Sequence, residues 1–371
     1  MPPAKRRLAH ADSPVGSPLS RRVPTLHDLV VAEVRPLTDD ATSVTFEVPD
    51  ELREQYRFVQ GQHVVLVHTL GSEELRRSYS ISAPLGAKEL RVAVKRQAGG
   101  RFSTWLTTEL RPGDVLGVMT PSGRFFTELN PAAVQHYGAV AGGSGITPIF
   151  SNIATILEVE RRSRVSLLYV NREPSSVMLA TELDDLLARH PDRLVVHHHY
   201  SRASGAIGGR LGGVELQVLL DGALRATSIH EWLLCGPEGL LDDVSKALAG
   251  LGVDARSVHR ELFGHAPGVD DAPAIGPEVD SQVTAVLNGT STSFELSSSG
   301  TSVLDALLPL RPEAPYACRE GVCATCRALV VEGEVVMRRA SGLDQNERRA
   351  GYVLTCQAHP AATRVVLDYD R

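Results

Sequence analysis

The chain has 371 residues, 43% of them hydrophobic and 22% charged, with a formal net charge of −6. That length predicts two or three domains, each with its own core. The charge balance leaves no broad basic surface for nucleic acid, and no apolar run approaches the roughly 20 residues a membrane span needs.

Residues 1–25, MPPAKRRLAHADSPVGSPLSRRVPT, are basic and rich in Pro and Ser, without the apolar core of a secretory signal. They read as a disordered arm on a chain that stays in the cytoplasm. That compartment is reducing, so structural disulfides are not expected among the five cysteines.

Residues 26–130 carry short alternating segments: LVVAEVRPL, SVTFEVP, HVVLVHTL, RRSYSIS, LRVAVKR and VLGVMTPSG. Strands this short, parted by turn residues, predict a sandwich or barrel. In Arg77-Ser78-Tyr79-Ser80, alternation puts Arg77 and Tyr79 on one face, where a guanidinium can pair with phosphate and a phenol can stack on a flat ring. GGRFST, residues 99–104, is a glycine turn opening a helix, which offers backbone N–H groups to an anion. Each alone is also what an ordinary strand or turn looks like. Together and in this order they resemble the flavin domain of the ferredoxin–NADP reductase family. The resemblance implies an antiparallel β-barrel that binds FAD. Arg77, Tyr79 and Ser80 would hold its phosphate, ring and ring edge, and Gly100, Phe102 and Ser103 would border its pyrophosphate.

Residues 131–264 change period. YGAVAGGSGITP is a strand running into a glycine turn, with Thr147 as the expected N-cap and Pro148 as the first helical residue. Strands and helices then alternate through IFSNIATILEVE, RVSLLYVNR, LATELDDLLARH, LVVHHHYSR, EWLLCGP, LLDDVSKALAG and VHRELF, which predicts an α/β doubly wound sheet with its ligand at the strand C-termini. His197, His198 and His199 alternate faces of a strand and cannot share a metal. With Cys235-Gly236-Pro237 ending a later strand, this region resembles the same family's nicotinamide domain. The resemblance implies that Gly142, Gly143, Ser144 and Gly145 meet the NADPH pyrophosphate. Thr147 would lie near the flavin, and Cys235, Gly236 and Pro237 near the nicotinamide. Ser201 and Arg202, with Arg172 from the neighbouring strand, would bind the 2′-phosphate. Glu261 and Phe263 share a face of the last strand, and the resemblance implies that Phe263 covers the flavin and acts with Cys235 in catalysis. The other readings are a small buried hydrophobe for Cys235 and core packing for Phe263.

Residues 265–279, rich in Pro, Gly and acid, read as a linker. In residues 280–371, QVTAVLNGTSTSFEL predicts a hairpin about Asn288-Gly289, SVLDALLPL a short helix, CRALVVEGEVVM a strand–turn–strand and TRVVLDYD a final strand. Cys318, Cys323 and Cys326 are spaced C-x4-C-x2-C, and 29 residues separate Cys326 from Cys356. That is the plant-type spacing for a 2Fe–2S cluster. Zinc sites favour two short knuckles, and only one CxxC is present. Gly321 and Ala324 leave room for backbone N–H groups to approach the sulfurs. The segment resembles the β-grasp fold of plant-type ferredoxins.

The order flavin, nicotinamide, ferredoxin resembles the reductase components of multicomponent oxygenases. From residue 26 onward it is most similar to the reductase subunits of phenylacetyl-CoA epoxidases. This implies electron flow from NADPH by way of FAD and the 2Fe–2S cluster to a diiron epoxidase of phenylacetate degradation. Ketosteroid and alkane hydroxylase reductases share the layout, and a standalone diaphorase or redox module is a reading of another class. A cluster that exchanges electrons must lie near the surface, so the acceptor is expected to dock on the loop 318–326, where Arg319, Glu320 and Arg327 mix both signs of charge.

Overall fold

The computed structural model describes residues 23–202, 209, 211–263 and 278–371. Most of the arm and most of the linker read from the sequence lie outside the described residues.

The first sheet takes β1 (Leu26–Thr38), β2 (Ala41–Glu47), β3 (His63–Leu70), β4 (Glu73–Ser80), β5 (Leu90–Lys95) and β6 (Val115–Met119). Its order is β4-β3-β6-β1-β2-β5, and Ile81, just beyond β4, bridges Val92 of β5, which curls the sheet into a barrel. Helix α1 (Arg101–Thr108) plugs one end with Phe102 and Leu106. β3 is apolar on both faces. Val64 and Leu66 point into the barrel core, while His63, Val65 and Val67 face outward yet are also buried.

The second sheet is parallel, in the order β11-β10-β7-β8-β9. It comprises β7 (His136–Gly142), β8 (Arg164–Asn171), β9 (Leu194–Tyr200), β10 (Glu231–Gly236) and β11 (Val258–Leu262), flanked by α2 (Ile146–Val159), α3 (Ala180–Arg189), α4 (Gly213–Val218) and α5 (Glu238–Gly250). α4 is an addition to the expected elements; its Leu216, and Leu220 in the π-turn over Leu219–Ala223 that continues it, pack in one core with Trp232 and Leu234. The start of α2 also differs from expectation. A 3-10 turn over Gly143–Gly145 leads into the helix, Gly145 is the N-cap, and Thr147 and Pro148 lie within the first turn. Pro148 is tolerated there because first-turn N–H groups have no intrahelical acceptor. The Thr147 hydroxyl donates backwards to the Ser144 carbonyl at 3.1 Å.

The third sheet is β13-β12-β18-β14-β16, built from β12 (Asp280–Leu287), β13 (Thr290–Ser297), β14 (Arg327–Glu332), β16 (Tyr352–Leu354) and β18 (Arg364–Asp368). Helix α6 (Val303–Leu307) covers its core with Val303, Leu304 and Leu307. β14 and β15 (Val335–Met337) do not pair as a hairpin; β15 pairs instead with β17 (Ala358–Pro360). A second short helix, α7 (Gln345–Arg349), escaped the sequence reading although Asp344 and Glu347 form a capping box.

This third unit packs on the outward face of β3. Ala317 and Cys323 close over Val65, Val67 and Met119. Arg124 reaches Glu347 at 2.7 Å, and the Arg76 guanidinium lies 4.1 Å from the centre of the Tyr316 ring. Among the described residues, no helix is long and apolar enough to cross a membrane.

Candidate functional site

Two clusters of residues carry the chemistry, one where the barrel meets the parallel sheet and one in the cysteine loop.

At the first, β4 holds Tyr79 against the barrel core, opposite Val64 and stacked near Phe102 at 6.1 Å between ring centres. Burial pushes the Tyr79 phenol up in pKa. Arg77 is exposed, and its Nη1 donates to its neighbour's carbonyl at 2.7 Å. Ser80 is buried and hydrogen-bonds the Glu261 carboxyl from β11. Glu261 lies beside Cys235 in the parallel register of β10 and β11. Its Oε2 is out of solvent with no partner, and burial raises its pKa to about 8. Cys235 is fully buried, and burial together with the Glu261 charge raises its thiol well above the usual range. A serine hydroxyl, a protonated carboxyl and a thiol therefore meet where the two domains join. An unpartnered buried carboxyl oxygen at this seam fits a ligand that brings its own hydrogen-bonding edge. Phe263, just past β11, is 43% exposed, so its ring is free to cover something flat.

Gly100 is the N-cap of α1, and a Cβ there would sit 2.7 Å from the Ser103 hydroxyl. An open hollow there is lined by Leu70, Gly99, Gly100, Thr104 and Trp105. Phe102 and Ser103 do not line it. Phe102 is core, and the Ser103 hydroxyl accepts from the Gln97 N–H at 3.0 Å to hold the turn.

In the Gly142–Gly145 turn the glycines have different jobs. A Cβ on Gly145 would fall 2.1 Å from the Cys235 carbonyl oxygen, and one on Gly142 would fall 2.6 Å from the Pro237 ring. These glycines let the ends of β7 and β10 touch. Gly143, at φ +53, has open space where its side chain would be, so its backbone is the part of the turn a ligand can reach. Arg172 and Arg202 are exposed at the adjoining ends of β8 and β9, tied by the Arg202 N–H donating to the Arg172 carbonyl at 2.9 Å. Ser201 lies between them in the same way, its N–H donating to the Asn171 carbonyl at 2.9 Å.

The three thiols of the cysteine loop and that of Cys356 are all free of disulfides. Among the described residues, no three or more His, Cys, Asp or Glu side chains close on a single point. The four thiols come as two pairs. Cys318 hydrogen-bonds Cys323, Cys326 hydrogen-bonds Cys356, and the pairs sense each other's charge. Two adjacent pairs are what a two-iron cluster requires, since each iron takes two thiolates and shares two sulfides. The backbone helps. Arg319, Gly321 and Ala324 all have positive φ, and the Glu320 N–H donates to the Cys318 sulfur at 3.3 Å. Amides from Val322 and Cys323 also reach Cys318, and that of Gly321 reaches Cys356. Donation from Cys323 and from these amides holds the Cys318 thiol below the usual range. The donor set therefore fits a 2Fe–2S group.

Comparison with known proteins gives the same three parts. An oxidoreductase FAD-binding domain model matches residues 28–127, an oxidoreductase NAD-binding domain model 139–246, and a 2Fe-2S iron-sulfur cluster binding domain model 285–361. One of the subunits of the 1,2-phenylacetyl-CoA epoxidase of Escherichia coli K12 is 39% identical over 93% of this chain and 98% of its own. The chain belongs to the family of ferredoxin reductase components built from these three domains. The ferredoxin reductase component of 3-ketosteroid-9-alpha-monooxygenase from Rhodococcus rhodochrous is 32% identical over 92% of this chain and 96% of its own. Among solved structures, phthalate dioxygenase reductase shares the fold over 92% of this chain and 98% of its own, with a TM-score of 0.56 at 24% identity. An intact type IV self-sufficient cytochrome P450 monooxygenase matches 98% of this chain, with a TM-score of 0.67 at 25% identity, and the reductase spans 43% of that longer protein. The reductase is thus an NAD(P)H oxidoreductase that binds FAD and a 2Fe–2S cluster.

One expectation about the reductase fails. Arg327 does not face outward beside the loop. It pairs with Glu347 at 3.1 Å beside Arg124, and its guanidinium lies 4.0 Å from the Tyr352 ring centre. The loop face carrying Ala317, Cys323 and Thr325 is docked on the barrel, so an acceptor cannot dock over the whole of residues 318–326 in this arrangement. Arg319 and Glu320 remain exposed, with Arg319 held by Asp305 at 3.1 Å. His63, Thr325 and Arg124 at this seam were not singled out from the sequence. The signal that could have found them was β3 itself, whose unbroken HVVLV run marks a strand buried on both faces.

Proposed function

We propose that the reductase takes electrons from NADPH and delivers them, by way of FAD and the 2Fe–2S cluster, to the diiron oxygenase of a phenylacetyl-CoA epoxidase in the cytoplasm. The observation that carries this reading is the full-length relationship to a phenylacetyl-CoA epoxidase component, at 39% identity with nearly the whole of both chains aligned. FAD supplies the conversion between a hydride's electron pair and single electrons.

The chain's own residues bind and orient. Arg77 and the open turn at Gly99–Gly100 are suited to the flavin's phosphates, and the Tyr79, Ser80 and Glu261 group to its ring. The Gly143 backbone is suited to the dinucleotide pyrophosphate. Ser201, Arg202 and Arg172 form a paired cationic corner suited to a 2′-phosphate, which favours NADPH over NADH. Cys235 and Glu261 keep water and charge away from the place where the nicotinamide must come to rest, and the exposed Phe263 ring is free to yield to it. Four thiols in two pairs hold the cluster.

Reconstitution tests the reading. The purified reductase, NADPH and the epoxidase's oxygenase component should epoxidise phenylacetyl-CoA, and omission of the reductase should abolish it. Turnover with a ketosteroid hydroxylase but not with a competent epoxidase would overturn the choice of acceptor while leaving the reductase assignment in place.

A further inference from the structure

The seam between barrel and ferredoxin unit contains a buried histidine that neither ligand set uses. His63 opens β3 directly opposite Ser80, the last residue of the flavin strand. Its backbone is pinned from the other side as well. Its N–H donates to the Ser122 carbonyl at 2.8 Å, and the Ser122 N–H donates back at 2.9 Å. The ring is 5% exposed, and Nε2 lies 3.3 Å from the Thr325 hydroxyl and 3.3 Å from the Ser122 hydroxyl. Gly123, at φ +106, clears the space beside it; a Cβ there would be 2.7 Å from Nδ1. Thr325 sits between two cluster ligands, Cys323 and Cys326, and its hydroxyl hydrogen-bonds the Cys323 sulfur.

The roles follow from counting protons. A threonine hydroxyl has one proton and can accept as well. If it donates to the Cys323 thiolate, it must accept from its other neighbour. Burial depresses the His63 pKa to about 4, so the imidazole stays neutral and has a single N–H to give. With that N–H on Nε2, the ring donates to the Thr325 hydroxyl, the Ser122 hydroxyl sharing the same N–H as a second acceptor, and Thr325 donates to the sulfur.

We infer that His63 is a positioning residue that registers the cysteine loop on the flavin strand and aims the Thr325 hydroxyl at Cys323. This rests on reading the four cysteines as cluster ligands. Hydrogen bonds to ligand sulfur raise a cluster's potential, and the register of two docked domains sets how fast electrons cross between them.

The experiment uses the full-length, cofactor-loaded protein and the variants His63→Phe, His63→Gln and Thr325→Val. Three quantities are measured: the cluster's midpoint potential by EPR-monitored titration, the rates of flavin and cluster reduction after rapid mixing with NADPH, and hydrogen exchange across residues 317–326. His63→Phe should lower the potential, speed exchange in the loop and slow cluster reduction by about tenfold, since small misplacements cost that much or more. Flavin reduction should keep its parent rate. Gln can place an amide N–H near the same point, so His63→Gln should restore most of the potential. If His63→Phe fails to retain its cofactors, Thr325→Val tests the same contact from the ferredoxin side and should lower the potential in the same way. An unchanged potential and cluster-reduction rate in either loaded variant overturns the inference, as does His63→Gln behaving like His63→Phe. A parent protein without 2Fe–2S absorption would overturn the cluster reading itself, which is a distinct outcome.

Discussion

Arg202 and Glu261 show how far a single side chain's setting decides its role. Arg202 is exposed and backed by Arg172, with no acidic partner among its described contacts, so its charge is open to an anion. Arg202→Ala should raise KM for NADPH about tenfold or more, because a charge-assisted pair contributes roughly 1.5–3 kcal/mol, while KM for NADH stays put. Steady-state kinetics with both nucleotides decide it, and an unchanged NADPH/NADH ratio rejects the role. Glu261 is the opposite case. Its carboxyl titrates at about 8 in the folded chain against an ordinary 4.5. The folded state therefore holds the proton more tightly than the unfolded state. The associated stability is fully present below pH 4.5 and is lost as pH rises towards 8. Glu261→Gln cannot ionise, so it should gain on the parent over that window, by on the order of 2 kcal/mol at pH 8 once the cost of burying the amide is deducted. Thermal melts of parent and variant at pH 5.5 and pH 8 test this: the gap in Tm should open at the higher pH, and a constant gap contradicts it.

At the scale of the element, the glycine turn after β7 illustrates what pattern reading sees and what it cannot. GGSG announced a turn at the end of a strand and a dinucleotide domain. Only the fold shows that Gly145 is needed because the end of β10 passes against it, whereas Gly143 faces open space. Gly145→Ala must push backbone away from backbone and should cost about 3 kcal/mol or more, with loss of nucleotide binding. Gly143→Ala pays only for its left-handed backbone, about 1 kcal/mol, and should leave the fold intact. Differential scanning fluorimetry of the two variants separates them, and equal melting shifts would sink the distinction. The same contrast runs through the chain. Strand periodicity made β1–β6 legible, and cysteine spacing made the ligand loop legible, because both signals are local. The burial of Phe102 and Ser103 was not, since whether a residue beside a glycine turn faces outward or the core depends on where α1 packs. α4 and α7 are too short for a 3.6-residue period to stand out.

For the whole molecule, the decisive fact is that the ferredoxin unit rests on the barrel as well as following a linker. Val65, Val67 and Met119 meet Ala317 and Cys323, and Arg124 crosses the seam to Glu347, which Arg327 holds from within the ferredoxin unit. The apolar run of β3 marks a second buried face, but no local pattern names what covers it, because the residues on the other side lie about 250 positions away in sequence. Docked this way, the face of the loop that can receive electrons from the flavin side is covered, and an acceptor must use the rim at Arg319 and Glu320 or wait for the unit to lift. The two halves nevertheless keep separate cores, one around Val64, Leu66 and Phe102 and the other around Val283, Leu304 and Leu367. Cys326→Ser should therefore act on one half alone. Cys326 belongs to the second pair of thiols, and its loss leaves one iron with a single good protein ligand. The 2Fe–2S absorption and EPR signals should disappear, and electron delivery to an oxygenase should stop with them. Bound FAD and NADPH-dependent reduction of ferricyanide should persist, because β4, α1 and the Gly142–Gly145 turn owe nothing to Cys326. Flavin content and ferricyanide reduction measured on the purified variant decide the point. Loss of FAD along with the cluster would mean that the docked ferredoxin unit completes the flavin site, and the two halves would have to be treated as one folding unit.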